Sequence, residues 1–148
     1  MIRNFEYYQE KNMVKRSMPN PSMARSLTEK AEVRLKLLNE REITEETSPI
    51  IFEETYEAIR EAAQSLMQLK GFKPYSHEAV IAYLIKEELM PERFTKRFDR
   101  YRILRNKSVY EAQKVSEETC KEALEFAKEQ VLNIKNKLLE ILSKEASN

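Results

Sequence analysis

The sequence predicts an all-α fold, an up-and-down helical bundle of four to five helices, on three observations. Its 148 residues include one glycine and five prolines, too few turn formers for a chain of many short strands. Charged residues make up 34%, with Lys and Glu interspersed among Leu, Ile and Ala as in long amphipathic helices. Apolar residues also recur at three- and four-residue spacing, the period of a helix face. The length is that of one domain able to bury a core without disulfide or metal.

Residues 1–21 carry Phe5, Tyr7 and Tyr8, then the basic pair Lys15 and Arg16, then Pro19 and Pro21. They read as an arm or short accessory helix, which leaves residues 22–148 for the bundle. The first main helix is expected from about Ser22 to Arg41, with Leu27, Ala31, Leu35 and Leu38 on one face and a capping box from Ser26 to Glu29. A second starts near Ser48 as N-cap, with Pro49 at the first helical position, and ends at Gly71, the residue suited to a left-handed cap. Its inward stripe is Phe52, Tyr56, Ile59, Ala63 and Leu66.

Ser76 is expected to cap a third helix whose core face is His77, Val80, Ile81 and Leu84, stopping before Pro91. That proline starts a fourth, which frays after Tyr110. The fifth opens at Ser116, with Glu117 and Glu118 where negative charge suits the helix dipole. Along it Cys120, Leu124, Ala127, Val131, Ile134, Leu138 and Ile141 repeat at alternating spacings of four and three. Such a seam wants antiparallel neighbours in the bundle, or the same helix of a second copy.

Charge excludes some functions. There are 26 basic and 25 acidic residues, a net +1, so no global field attracts nucleic acid or an anionic membrane. The start, Met1 to Glu6, lacks a signal-peptide apolar stretch, and no segment approaches about 18 uninterrupted apolar residues. The expected location is cytoplasmic, with no membrane partner. Cys120 is the sole cysteine and sits on an apolar face, which favours core packing over reactivity. With one His, one Cys and one Gly, zinc fingers, a di-iron bundle and a Gly-rich phosphate loop all fail. No metal or cofactor is expected. The third helix, turn and fourth helix resemble a helix-turn-helix only weakly, on spacing alone.

The fourth helix carries the best functional lead. Phe94, Phe98 and Tyr101 form a stripe at spacings of four and three, and the next position on that line is Arg105, within about 20° of Phe94 at 100° per residue. A guanidinium keeps its charge at physiological pH, so one aimed at a helical interface needs an acceptor: a carboxylate or carbonyl of the protein, or an incoming phosphate. The rival to a functional role is an ion pair with an acid of the second or fifth helix. Residues 92–107 hold seven basic side chains against Glu92 and Asp99. Lys96, Arg100 and Lys107 cluster opposite Phe94, and with Arg102 they are the candidate phosphate-tracking residues. The rival there is a solvated face paired with acids. His77, the only histidine, follows the expected cap Ser76, where the dipole favours neutral imidazole. It suits acid–base work beside a phosphate, or simply bonds a backbone carbonyl and packs beside Tyr75.

Ser76-His77-Glu78-Ala79 after a Gly-ended helix, then Arg105-Asn106-x-x-x-Tyr110, then a long closing helix resemble the HEPN domain, a helical domain named for its occurrence in higher eukaryotes and prokaryotes with nucleotide-linked roles. The similarity spans about residues 22–142 and looks closest to uncharacterised archaeal members. It implies a bundle that forms a homodimer, with the Arg-Asn segments of two copies meeting in a cleft. Active ribonucleases of the family carry Arg, four to six residues, then His. Here Arg105 and Asn106 match the first part, and Tyr110 stands for the His; a phenol is a poor general base at neutral pH. Many relatives are paired with a minimal nucleotidyltransferase as the toxin or target, and in some a Tyr near the motif accepts nucleotidyl groups, a part Tyr110 could take.

The resulting expectation is a protein that binds RNA or a nucleotide through Arg105 and Asn106, as one half of a toxin–antitoxin-like pair. Arg105, Asn106, Tyr110 and His77 are the candidate catalytic residues. The alternatives are a metal-independent endoribonuclease, with His77 or Tyr110 supplying the acid or base, and a plain protein-interaction scaffold.

Overall fold

Helix α3 (Ser48–Leu69) is buried almost all round, with Ile51, Phe52, Tyr56, Ile59, Ala62, Ala63, Leu66 and Met67 in the core. Such a helix must be enclosed. In the computed structural model, which describes residues 1–147, α2 (Pro21–Asn39), α4 (His77–Lys86), α5 (Glu92–Glu111) and α6 (Glu117–Ala146) all pack against it. The fold is thus the expected all-α bundle, completed by a short helix α1 (Phe5–Glu10) and two three-residue strands, β1 (Val14–Arg16) and β2 (Phe72–Pro74). Among the described residues no helix is long and apolar enough to cross a membrane.

Helix α2 starts earlier than the Ser26–Glu29 pattern suggests. Asn20 is the N-cap, its Oδ1 accepting the Met23 N–H at 3.0 Å, and Pro21 occupies the first turn. An Asn cap followed by Pro is a complete start signal, so Ser26 lies within the helix. At α3 the cap is Thr47, which makes no side-chain capping bond. The preceding turn is closed instead by Thr44 and Thr47, whose N–H groups each donate to the other's hydroxyl, at 2.8 and 3.1 Å. Ser48, expected as the cap, is buried in the first turn and donates its hydroxyl to the Thr44 carbonyl.

Gly71 follows the α3 C-cap Lys70 with φ +83°. A Cβ there would also lie 2.6 Å from the Ser17 carbonyl oxygen. The returning N-terminal segment crosses at this point, and the Ser17 N–H donates to the Gly71 carbonyl at 2.8 Å. The strands then pair antiparallel, Val14 opposite Pro74 and Arg16 opposite Phe72. This ribbon has no counterpart in the sequence reading, because three residues cannot show a period. It draws α1 onto α4: Phe5 is buried with its ring edge-on to Phe72 and Tyr83, at 5.4 and 5.3 Å between centroids.

The remaining boundaries follow their local signals. Ser76 caps α4, its hydroxyl oxygen 3.4 Å from the Ala79 N–H. Pro91 caps α5, and Ala112 ends it in the left-handed region at φ 52°. Ser116 caps α6 by accepting the Thr119 N–H at 3.0 Å. Cys120, Leu124, Ala127, Val131, Ile134 and Leu138 are buried, while Ile141 is half-buried. The seam of α6 is thereby satisfied within the chain, by α3 and α2.

Candidate anion-binding site

Three helices converge near one end of α4. Helix α3 contributes Tyr56, Glu57 and Arg60 at helical spacing, α4 contributes its first residue His77, and α5 contributes Arg102, Arg105 and Asn106.

Tyr56 is the buried hub. Its hydroxyl is 3.0 Å from His77 Nδ1, and the two rings stack at 5.6 Å between centroids and 30° between planes. On its other contacts it meets Phe98 at 5.7 Å, and the Arg105 guanidinium carbon at 5.9 Å from the ring centroid. Burial pushes the Tyr56 hydroxyl well above the ordinary phenol range, so it stays protonated. The His77 pKa falls from 6.5 to about 4, first through burial and then through the positive charges of Arg60 and Arg105, with Glu57 opposing. The imidazole is neutral at physiological pH. Its Nδ1 partner is the Tyr56 hydroxyl, where the sequence left a backbone carbonyl beside Tyr75 as the bland reading; Tyr75 is exposed.

Arg105 is half-buried. Its Nη1 donates to the Asn106 side-chain oxygen at 3.2 Å, and its guanidinium carbon lies 6.0 Å from the Tyr110 ring centroid. Among the described residues it makes no ion pair, so no acid of α3 or α6 neutralises it. The adjacent guanidiniums differ. Arg60 is clasped along its own helix by Glu57, to which Nε donates at 3.1 Å, and by Gln64, to which Nη1 donates at 2.6 Å. Arg102 donates to Asp99 at 2.8 Å and sits 3.5 Å from Glu78. Glu78 in turn accepts the Tyr8 hydroxyl at 3.3 Å, tying α1 to the site.

Arg102 therefore does not belong to an outward phosphate-tracking face: its side chain is 11% exposed, because on the wheel it falls toward the α4 side rather than beside Arg100. Lys96, Arg100 and Lys107 are exposed; Lys96 pairs with Glu92 at 3.2 Å across a solvated turn. Tyr110 is 76% exposed at the rim. Of the candidate residues, then, the fold brings His77, Arg105, Asn106 and Tyr110 toward one patch and leaves Lys96, Arg100 and Lys107 on the outer surface of α5. One turn beyond Arg105, Ser108 Oγ donates to Glu53 at 3.4 Å and ties α5 to α3.

Sequence reasoning missed Tyr56, Arg60 and Glu57. Tyr56 was read as an apolar stripe residue, although a tyrosine in a core stripe needs a partner for its hydroxyl. The run Glu57, Arg60, Gln64 at spacings of three and four was the available sign of a preset guanidinium. Two concavities lie elsewhere, one between Arg97 and Phe126, the other bordered by Ile2, Ile85, Met90 and Asn133. Neither hollow contains the chain's one imidazole, whereas this patch sets it beside a guanidinium without an ion pair.

A family model described as HEPN domain matches residues 24–138. No curated protein and no solved structure matches the chain.

Proposed function

Because this chain belongs to the HEPN domain family, we propose that it binds RNA or a nucleotide through a phosphate gripped by Arg105 and oriented by Asn106. One observation carries the reading. Arg105 is half-buried against Tyr56, with no carboxylate partner among the described residues, while Arg60 and Arg102 beside it are each neutralised. A partly desolvated guanidinium without a counter-ion gains from an incoming anion, and its planar fork matches two phosphate oxygens. Asn106 occupies one N–H and so fixes the direction of the others. Lys96, Arg100 and Lys107 would extend the contact along the backbone of a longer ligand.

The patch is open on a single chain, and in this reading a second copy closes it to form a homodimer. The partner would be a minimal nucleotidyltransferase in a toxin–antitoxin-like pair. Tyr110, exposed beside Arg105, is then the acceptor: its phenol oxygen attacks the α-phosphorus of a nucleoside triphosphate, pyrophosphate leaves, and the phenolic proton passes to solvent.

A second reading, a metal-independent endoribonuclease, is favoured by the closeness of His77 to Arg105. The 2′-hydroxyl would attack the adjacent phosphorus as His77 takes its proton; the bond from phosphorus to the 5′-oxygen breaks, and that oxygen takes a proton from solvent. An imidazole with a pKa near 4 is a weak base for that step.

The test is binding of a labelled single-stranded RNA at two salt concentrations, alongside cleavage assays in chelator. Salt-sensitive binding that is lost in Arg105→Ala, with an unchanged helical spectrum, supports the phosphate reading. Cleavage that vanishes with the same variant shifts the assignment to the nuclease. Unaltered binding in Arg105→Ala sinks both.

A further inference from the structure

The Tyr56–His77 pair is the one buried polar arrangement at the patch that the Arg105–Asn106 reading leaves without a task. The Tyr56 hydroxyl is 1% exposed at the residue level and has a single side-chain partner, His77 Nδ1. A buried phenol that keeps its proton must donate it somewhere, and an imidazole nitrogen is the acceptor within reach. Nδ1 then carries no hydrogen, and in a neutral ring the hydrogen sits on Nε2. Nε2 lies across the ring from Nδ1 and has no hydrogen-bond partner among the described residues. His77 is half-buried and its Nε2 is not one of the buried polar atoms that lack a partner, so this edge is reachable from outside.

Resting on the phosphate reading of Arg105, we infer that Tyr56 is a positioning residue which locks His77 in the Nε2–H tautomer and thereby presents a second, uncharged donor to the same phosphate. Three features support it. Tyr56 adjoins both groups: it hydrogen-bonds to and stacks on His77, and the Arg105 guanidinium carbon lies 5.9 Å from its ring centroid. The ring of Tyr56 is itself held by Phe98, so the hydroxyl cannot swing away without disturbing the core. The charges facing His77 are Glu57 and Arg60 from α3 and Arg102 and Arg105 from α5. Burial and the three guanidiniums keep the imidazole uncharged against the opposing pull of Glu57, so its contribution to an anion is a directed hydrogen bond. An arriving phosphate would offset the repulsion from Arg60 and Arg105, and the His77 pKa would rise on binding.

The chain has a single histidine, so nitrogen-15 spectra of the full-length protein report on it without ambiguity. At pH 7 the expected result is an unprotonated Nδ1 and a protonated Nε2. A short single-stranded RNA oligonucleotide should shift Nε2 and move the titration midpoint upward. Tyr56→Phe keeps the ring and removes the hydroxyl; it should mix the tautomers and weaken oligonucleotide binding about five- to tenfold, with Arg105→Ala weakening it further. A protonated Nδ1 in the wild type overturns the inference whatever the variants do. Loss of binding in Arg105→Ala with wild-type affinity and tautomer in Tyr56→Phe overturns the inference and leaves the phosphate reading standing. Wild-type affinity in Arg105→Ala, or no binding by the wild type, overturns both.

Discussion

His77 should make the protein acid-sensitive in a pH window that its sequence alone would not single out. In the folded chain its pKa is about 4, first because it is buried and then because Arg60 and Arg105 face it; the ordinary value is 6.5. Above pH 6.5 the ring is neutral both folded and unfolded, and contributes nothing to pH dependence. As the pH falls toward 4, the unfolded chain takes up a proton that the folded chain refuses, so stability declines through that interval. Fully expressed, the gap amounts to at most about 3 kcal/mol; water reaching a half-buried ring reduces this to about 1–2 kcal/mol. Urea denaturation at pH 7 and pH 4.5 measures it, with His77→Gln as the reference. Carboxylates also titrate in this range, but they are common to both proteins, so the difference between the two pH dependences isolates the imidazole. The wild type should lose about 1–2 kcal/mol more than the variant. Parallel curves, or an imidazole titrating near 6.5, would refute the claim that desolvation and two guanidiniums act on this ring.

Further predictions concern the scaffold that holds the patch. Glu61 is 3% exposed and held by Arg34 Nε at 2.9 Å, with Lys30 at 3.4 Å; Arg34→Ala strips a buried carboxylate of its main partner and should cost about 3 kcal/mol in chemical denaturation. Gly71→Ala places a Cβ 2.6 Å from the Ser17 carbonyl at a φ of +83°. Its thermal midpoint should drop with a loss of more than ~1 kcal/mol, and amide exchange in the β1–β2 ribbon should quicken. Ser116→Ala removes the α6 cap and should cost about 1 kcal/mol, seen as a lower urea midpoint with an unchanged slope. In contrast, Lys96→Ala removes only an exposed pair with Glu92 and should change stability by less than about 0.5 kcal/mol.

Much of the fold was legible because helix periodicity and caps are local. Ser76 and Ser116 cap where hydroxyls precede apolar periods, and the alternating seam of α6 is buried through Leu138. Where two local signals competed, the caps were misassigned: α2 starts within a residue of the expected Ser22, but its cap is Asn20 and not Ser26, and the Thr44–Thr47 pair rather than Ser48 closes the turn before α3. The β1–β2 ribbon was invisible, since its two strands are distant in sequence and too short to display a period. In the site, the stripe of α5 pointed to Arg105 because a charge on an apolar line is conspicuous. Arg102 was grouped with Lys96, Arg100 and Lys107 as a phosphate-tracking residue, but Asp99 on its own helix and Glu78 of the docked α4 enclose it.

The amino-acid order by itself determined the helical class, the position of most helices and the oddity of Arg105, since each depends on residues within a turn or two of one another. Tertiary packing alone decided that Glu78 of α4 reaches Arg102, and that the lone imidazole meets a buried tyrosine from another helix. Those outcomes turn on distances between side chains 21 or more positions apart, and the electrostatics of a group are set by its neighbours in space.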